Sequence, residues 1–148
     1  MKYFTFNELC ESGTAKTHNI DNTPNEQIKI NLRNLVDNCL DVIREKYGKP
    51  ITVSSGYRCP ALNKVAGGVS TSQHTKGQAA DLKGKTRQEN EIIFNIIKQL
   101  GCYDQLINEY NFSWIHVSYV DGKNNRKQIL TIKKLWKQIQ LFKISKRL

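Results

Sequence analysis

The chain has 148 residues, of which 39% are apolar, and it carries 23 Lys or Arg against 13 Asp or Glu. Its apolar content is too high for a disordered chain, and no run of about 18 apolar residues could cross a bilayer, so we predict one soluble domain. Residues 1–8 lack the basic head and apolar segment of a secretion signal, which predicts synthesis in the cytosol without export by a cleaved signal.

The net charge of +10 is carried by the C-terminal end of the chain. Residues 122–148 hold nine Lys or Arg and no acidic residue, whereas residues 1–121 hold 14 basic and 13 acidic residues. Because the basic residues are confined to the tail and no nucleic-acid-binding motif surrounds them, the pattern argues against nucleic acid as a partner.

The four cysteines show no spacing typical of a metal knuckle. They stand at Cys10, Cys39, Cys59 and Cys102. We predict free thiols, and a disulfide is the alternative if the protein works outside a cell.

In chain order, the first predicted regular element is a long helix. Residues 1–22, before it, are rich in Thr, Asn and Ser and are predicted to be irregular. Three residues of this segment are expected to anchor it to the core: Phe4, Phe6 and Leu9. Thr23 is the predicted N-cap of the helix, because Pro24 suits the first turn and Glu26 stands three residues after the cap. Apolar residues then recur at helical spacing until Gly48 ends the helix.

The following part of the chain predicts strands interspersed with helices. Five segments have the residue pattern of strands: 51–54, 79–82, 103–109, 114–119 and 127–132. A short helix is predicted over 60–66, and a second long helix begins after the cap Thr86 and ends at Gly101. Residues 121–125 predict a hairpin turn between the last two strands. These elements predict an α+β domain over residues 1–132, with a small, mostly antiparallel sheet and the two long helices packed on it.

Residues 133–148 predict a basic amphipathic helix that follows this domain. Apolar residues keep one face at helical spacing, and lysines and an arginine surround it. Such a helix is suited to an anionic envelope polymer or a membrane surface. The alternative is a terminal helix that docks on the domain and exposes its lysines.

Two of the three histidines stand near other residues that can bind a metal, whereas His18 lies in a polar stretch and is predicted to be exposed. His74 lies in a predicted loop and Asp81 in the strand that follows, so a turn at Gly77 could bring the imidazole and the carboxylate together. His116 lies in an otherwise apolar strand, where an imidazole needs a polar partner. Two histidines and a carboxylate, with a fourth position left to water, form the ligand set of a catalytic zinc site, although hydrogen-bonded core histidines are the alternative.

Three motifs around these residues resemble the M15 family of zinc peptidases. They are SGYRCP at residues 55–60, SQHTKGQAAD at 72–81 and WIHV at 114–117. The likeness extends over roughly residues 4–132 and keeps the order and spacing of the motifs, and the branch it most resembles is that of short M15 proteins of phages and prophages. The resemblance implies a zinc fold like that of hedgehog domains and D-Ala-D-Ala peptidases. It also implies one Zn²⁺ at the open face of the sheet, held by His74, Asp81 and His116.

The same resemblance implies roles for two residues around the metal, and two further residues are candidates for binding substrate. Arg58 matches the arginine that polarises the scissile carbonyl, a role suited to a fixed planar cation, and a surface salt bridge is the alternative. Ser72 matches a substrate-contacting serine, although a loop-capping serine fits as well. Tyr57, in the same motif as Arg58, and Trp114 are predicted to bind substrate, and core packing is the alternative for Trp114.

The catalytic base departs from the family pattern. Many M15 members carry Asp or Glu three residues before the last zinc ligand, but here that position is Ser113. Glu109, seven residues before His116, is the best replacement if a short loop through Asn111 returns it to the metal. A related arrangement is seen in the hedgehog signalling domain, which holds its glutamate further upstream than three residues. A solvated charge at a strand end is the alternative for Glu109, and Asp104 is the second candidate for the base.

The resemblance implies a zinc-dependent peptidase that cuts a D-amino-acid-containing bond in peptidoglycan stem peptides, either as a D,D-carboxypeptidase or as an endopeptidase. The lack of a secretion signal and the likeness to phage proteins favour a phage or prophage endolysin that reaches the cell wall through a holin, and we expect it to be a monomer. The alternative from another class is a non-catalytic, zinc-containing cell-wall-binding or structural module. Ser113 favours this alternative, because a serine at the usual position of the base cannot act as a carboxylate base.

Overall fold

The first third of the chain is helical. In the computed structural model, which describes residues 1–133, four helices precede the first strand: α1 (Phe6–Cys10), α2 (Gly13–Thr17), α3 (Glu26–Leu35) and α4 (Asp41–Tyr47). A single π-helical turn over Val36–Leu40 joins α3 to α4, so the predicted long helix is continuous. Gly48 ends it as predicted, with a left-handed φ of 76°.

Two predictions for this region were wrong. Residues 1–22 are not irregular, because threonine and serine side chains cap α1 and α2. Thr23 does not cap α3, since its hydroxyl donates to Asp21 and the side chain of Asn25 accepts the N–H of Ile28 instead. Competition between neighbouring polar side chains therefore moves the start of the helix by two residues.

Five strands and two further helices follow. They are β1 (Thr52–Ser55), α5 (Pro60–Val65), β2 (Ala79–Lys83), α6 (Arg87–Leu100), β3 (Gln105–Glu109), β4 (Trp114–Ser118) and β5 (Gln128–Ile132), with a 3₁₀ turn at Gln73–Lys76. The strands form one sheet in the order β1-β2-β4-β3-β5, in which every pair except β3 with β5 is antiparallel. The predicted α+β class with a mostly antiparallel sheet is confirmed, and Thr86 caps α6 as predicted.

The last strand does not pair as predicted. β5 runs parallel to β3 and forms no hairpin with β4, because β2 and β3 already occupy both edges of β4. The turn at residues 121–125 does form, with the Asp121 carboxylate accepting the N–H groups of Lys123 and Asn124. The chain then crosses to the far edge of β3, where the Gln128 N–H donates to the backbone oxygen of Asp104.

The alternation of side chains along the strands divides the sheet into two faces. One face is apolar and belongs to the hydrophobic core that the helices complete. Its residues on the three central strands are Ala80, Leu82, Leu106, Ile115 and Val117. The opposite face carries Asp81, Glu109 and His116. Apolar burial against the helices therefore determines which face of the sheet is left for polar side chains.

All four cysteines are free thiols, as predicted. The Sγ atoms of Cys39 and Cys102 lie 3.5 Å apart, well beyond the bond length of a disulfide. The fold is thus assembled without a covalent cross-link.

Residues 133–148, the last part of the basic tail, follow β5 in the chain. The predicted amphipathic helix of residues 133–148 lies, apart from Lys133, outside the described residues. Within residues 1–133, no helix combines the length and the apolar character needed to cross a bilayer.

The turn after β1 requires glycine at position 56. A Cβ atom on Gly56 would lie 2.2 Å from the backbone oxygen of Leu9, which also accepts the Tyr57 N–H at 2.7 Å. We expect Gly56→Ala to lower the free energy of unfolding by about 1–3 kcal/mol or more, because a clash with backbone cannot be relieved by rotating a side chain. Gly13→Ala is the matched control, since nothing lies within 4 Å of its Cβ position. Urea denaturation measures both variants, and equal stability of the two would contradict this packing.

Candidate functional site

Three metal-binding side chains converge on the polar face of the sheet. Asp81 on β2 and His116 on β4 are direct cross-strand partners, so their side chains lie side by side. His74 reaches the same point from the 3₁₀ turn before β2. His116 Nδ1 lies 3.1 Å from Asp81 Oδ1 and 3.2 Å from His74 Nε2, and His74 Nε2 lies 3.3 Å from Asp81 Oδ1. The fold thus brings together the three residues predicted as ligands.

The loop determines which nitrogen of His74 faces the other two ligands. The ring is buried, and its Nδ1 donates to the backbone oxygen of Gly56 at 2.7 Å. Because a carbonyl oxygen only accepts, this bond places the proton on Nδ1 and leaves the lone pair of Nε2 directed at the other ligands. Gly77 ends the turn with a φ of 67°, and a Cβ there would lie 2.9 Å from Ile28. Gly56 thus orients the His74 ring through its backbone oxygen, and Gly77 allows the ligand turn to end close to Ile28.

The donor set fits a zinc ion. A tetrahedral ion with ligand bonds of about 2.0–2.1 Å has neighbouring ligand atoms about 3.3 Å apart. The three donor atoms lie 3.1–3.3 Å from one another. Within residues 1–133, no other group of three His, Cys, Asp or Glu side chains is arranged so that it could hold a metal ion. Two imidazoles and one carboxylate leave a fourth position for water or substrate, as in catalytic zinc sites.

Asp81 is held in its ionised form. Burial alone would raise its pKa, but the adjacent imidazole rings of His116 and His74 outweigh burial and hold the pKa of Asp81 well below its usual value. An ionised carboxylate is the form that binds a cation.

The three ligands line a cleft of about 480 Å³. Four other predicted site residues also line it: Arg58, Ser72, Glu109 and Trp114. Tyr57 does not, since the residue is 8% exposed and packs in the hydrophobic core. This corrects the predicted substrate contact of Tyr57, because the turn that directs Arg58 into the cleft directs the preceding side chain into the core.

Arg58 brings a cation to the cleft. Its side chain is half-buried, and its buried Nε has no hydrogen-bond partner within residues 1–133. Burial lowers the pKa of Arg58, and the nearby charge of Asp81 partly offsets this effect. Leaving a buried donor unpaired is costly, so this position favours an oxygen atom of a bound ligand as its partner. No salt bridge of Arg58 occurs in the described part of the chain, so the surface-pair alternative is not supported.

Glu109 stands at the end of β3 close to the ligands. It is the cross-strand partner of Trp114, lines the cleft and is half-buried. Burial raises the pKa of Glu109, the negative charge of Asp81 raises it further, and His116 opposes both effects. A carboxyl group whose pKa is shifted toward neutral pH has the property required of a general base.

A left-handed turn between β3 and β4 sets the position of Glu109. Tyr110, Asn111 and Phe112 have φ angles of 50°, 59° and 55°. Ser113 closes the turn, because its N–H donates to the backbone oxygen of Glu109 and its hydroxyl donates to that of Tyr110. Ser113 thus has a structural role at the position where the resemblance leads one to expect a carboxylate.

Asn90 holds this turn against α6 and was not predicted. Its side-chain amide donates to the backbone oxygen of Phe112 at 2.8 Å, and its Oδ1 accepts the Gly84 N–H at 2.7 Å. The residue is buried. The sequence signal for this contact was a polar residue three positions before Ile93, on the apolar face of the helix.

Replacing Asn90 by Ala is expected to lower the free energy of unfolding by about 1–3 kcal/mol, because the N–H of Gly84 and the oxygen of Phe112 lose their partner. Asn95→Ala, an exposed position on the same helix, is the matched control. Urea denaturation compares the two variants, and equal losses would show that the buried amide does not support the turn.

Asp104, the second candidate base, is engaged elsewhere. Its buried carboxylate accepts hydrogen bonds from the Arg126 guanidinium at 2.6–3.1 Å and from Gln73 Nε2 at 2.9 Å. Burial would raise the pKa of Asp104, but the bonds from Arg126 and Gln73 outweigh it and lower the pKa. A carboxylate committed to these donors is poorly placed to accept a proton from a water in the cleft. Arg126, which also lines the cleft, was not predicted.

A family model described as Peptidase M15 matches residues 2–118, well over half of the chain. The matched range includes the three ligands, Arg58 and Glu109, and it ends before Arg126. A search of curated proteins found no match to the sequence.

Proposed function

Because the chain belongs to the peptidase M15 family, whose members are zinc-dependent, we propose that it hydrolyses a D-amino-acid-containing bond in peptidoglycan stem peptides. The observation that carries the proposal is the convergence of two imidazoles and a carboxylate, at the spacing that zinc requires, in a cleft that also holds Arg58 and Glu109. A metal site, a cation and a half-buried carboxylate can together hydrolyse an amide.

The proposed mechanism divides the work among these groups. His74, Asp81 and His116 would hold the zinc ion, which supplies a Lewis acid and lowers the pKa of water. Glu109 accepts a proton from the attacking water as the water oxygen bonds to the scissile carbonyl carbon. Arg58 donates hydrogen bonds to the carbonyl oxygen, where negative charge develops. Glu109 then delivers the proton to the amine nitrogen as the carbon–nitrogen bond breaks.

Ser72 and Trp114 supply the walls against which the substrate would lie. The Ser72 hydroxyl oxygen accepts the His74 N–H at 3.3 Å, so this residue caps the ligand turn while it lines the cleft. Trp114 packs edge to face on Tyr110, with ring centroids 5.0 Å apart, and is half-exposed. These positions support a substrate contact for both residues.

We also propose a biological setting. The likeness of the motifs to short phage and prophage proteins favours an endolysin that reaches the wall through a holin. Its substrate partner is peptidoglycan, the enzyme acts as a monomer, and residues 133–148 bind anionic envelope polymers through their basic side chains.

The second candidate function is a non-catalytic cell-wall-binding module that retains the zinc fold. The observation in its favour is that position 113, where many family members carry the carboxylate base, is a serine. Zinc content does not separate the two functions, because both require the bound ion.

Digestion of purified peptidoglycan, with and without a chelator, tests the proposal. We expect cleavage that the chelator abolishes, with products identified by mass spectrometry. Loss of single D-Ala residues would identify a D,D-carboxypeptidase, and freed stem peptides would identify an endopeptidase. If zinc-loaded protein cosediments with the wall but cuts nothing, the peptidase proposal falls and the binding module replaces it.

A further inference from the structure

The cleft extends beyond the metal ligands toward Arg126. Alternate residues of β3, namely Gln105, Ile107 and Glu109, line the cleft at steps of about 7 Å. Ile107 is the cross-strand partner of His116, so the ligands are level with the middle of this row. Glu109 therefore lies at one end of the row, and Gln105 with Arg126 lies at the other.

A buried carboxylate fixes the guanidinium of Arg126 at that end. Asp104, 1% exposed, accepts Arg126 Nη2 at 2.6 Å, Nε at 3.1 Å and the backbone N–H at 2.8 Å. Gln73 adds a further bond from the 3₁₀ turn that carries His74. Burial of an ionised carboxylate is tolerated only when it is well paired, so these donors and Asp104 hold one another in place. The position of the guanidinium is consequently set by the fold rather than by free rotation of its side chain.

The opposite edge of this guanidinium is available to a ligand. The Arg126 side chain is 55% exposed, and within residues 1–133 its Nη1 donates to no protein atom. Because Nε and one N–H of Nη2 are given to Asp104, Nη1 and the second N–H of Nη2 form a planar pair of donors. Such a pair matches the two oxygens of a carboxylate.

We propose that Arg126 binds a carboxylate of the peptide substrate at a distance from the bond that is cut. The inference rests on the proposed peptidase function and adds a substrate feature to it. Asp104 precedes Ile107 by three residues, which corresponds to about 10 Å along the strand, or about three residues of an extended peptide. Stem peptides that carry a free carboxylate at this distance are therefore preferred over the same peptides with that group amidated.

Steady-state kinetics on paired peptides test this preference. One stem peptide carries all its carboxylates, and in each partner peptide a single carboxylate is replaced by the amide. For the wild-type enzyme, KM should rise about 10–100-fold when the recognised carboxylate is amidated. Arg126→Gln should have the same KM for both peptides, with kcat little changed. Arg33→Gln, an exposed arginine on α3 that does not line the cleft, should keep the wild-type preference.

The competing explanation is that Arg126 only clamps the chain between β4 and β5. Because Arg126→Gln leaves Asp104 buried without its main partner, the double variant Asp104→Asn with Arg126→Gln removes both charges together. Thermal unfolding and zinc content establish that the variants are folded. A lower kcat for every peptide, with the preference for the carboxylate unchanged, would show a clamp alone and overturn the proposal.

Calorimetric binding of the same peptides to the zinc-loaded Glu109→Gln protein separates this proposal from the proposed function. If this protein binds the carboxylate peptide more tightly, and adding Arg126→Gln abolishes the difference, the site is supported even if the wild-type protein cuts no peptide. Equal binding of the carboxylate and amide peptides, or no binding of either, would overturn the site even if the wild-type protein cuts both.

Discussion

Replacing Glu109 by Gln should reduce kcat by about 10²–10⁴-fold while the zinc ion stays bound. Glutamine has nearly the same shape as glutamate, but its amide cannot accept the proton of the attacking water. The substitution also breaks no side-chain hydrogen bond of Glu109 within residues 1–133, so the turn that follows β3 should be retained. Turnover of a stem peptide, zinc content by elemental analysis and thermal unfolding measure the three consequences separately.

Glu91→Gln is the matched control for this experiment. Glu91 is exposed on α6 and does not line the cleft, so its replacement should leave kcat unchanged. A fully active Glu109→Gln enzyme would remove Glu109 from the mechanism. Loss of both zinc and activity would instead show that Glu109 supports the metal site.

Replacing His116 by Ala should remove zinc binding and, with it, all metal-dependent turnover. Loss of one of three protein ligands should weaken zinc binding well beyond the roughly 10–100-fold that follows from removing an outer hydrogen-bond partner. Because zinc binds the folded state, the wild-type protein should gain thermal stability when zinc is added, and His116→Ala should gain little. Zinc stoichiometry after dialysis and thermal unfolding with and without zinc measure the effect.

The control for the metal site is His18→Ala. His18 is exposed, and within residues 1–133 its ring makes a single hydrogen bond, with the backbone oxygen of Thr14. This variant should bind one zinc ion and respond to zinc like the wild-type protein. Full zinc content in His116→Ala would contradict the assignment of the ligands.

Local sequence patterns predicted most of the secondary structure because caps, glycine stops and β-branched runs act over a few residues. Thr86 and Gly48 bound their helices as predicted, Thr86 through a side-chain cap and Gly48 through its left-handed backbone. The prediction failed at Thr23, where Asp21 and Asn25 offer alternative bonds over the same short distance. Such competition between local contacts is not resolved by the pattern of residues.

The candidate site was predicted in part for a similar reason. The motif spacing identified His74, Asp81 and His116 as candidate ligands. The register of β2 and β4 pairs Asp81 with His116, and the 3₁₀ turn brings His74 to them. Asn90 and Arg126 were missed because their partners lie far along the chain. Asn and Arg side chains are also common on solvated surfaces, so residue type alone did not indicate these contacts.

The sequence by itself determined the types of the main elements and the residues that bear metal-binding chemistry, since both depend on side-chain type and short spacing. Only the tertiary structure decided that β5 pairs with β3, that Tyr57 lies in the core and that Asp104 is bound by Arg126. These outcomes depend on which strand edges, faces and hydrogen-bonding groups remain free after the helices have packed on the sheet. That selection is made by burial and by the pairing of buried polar groups across the whole domain, which no local pattern records.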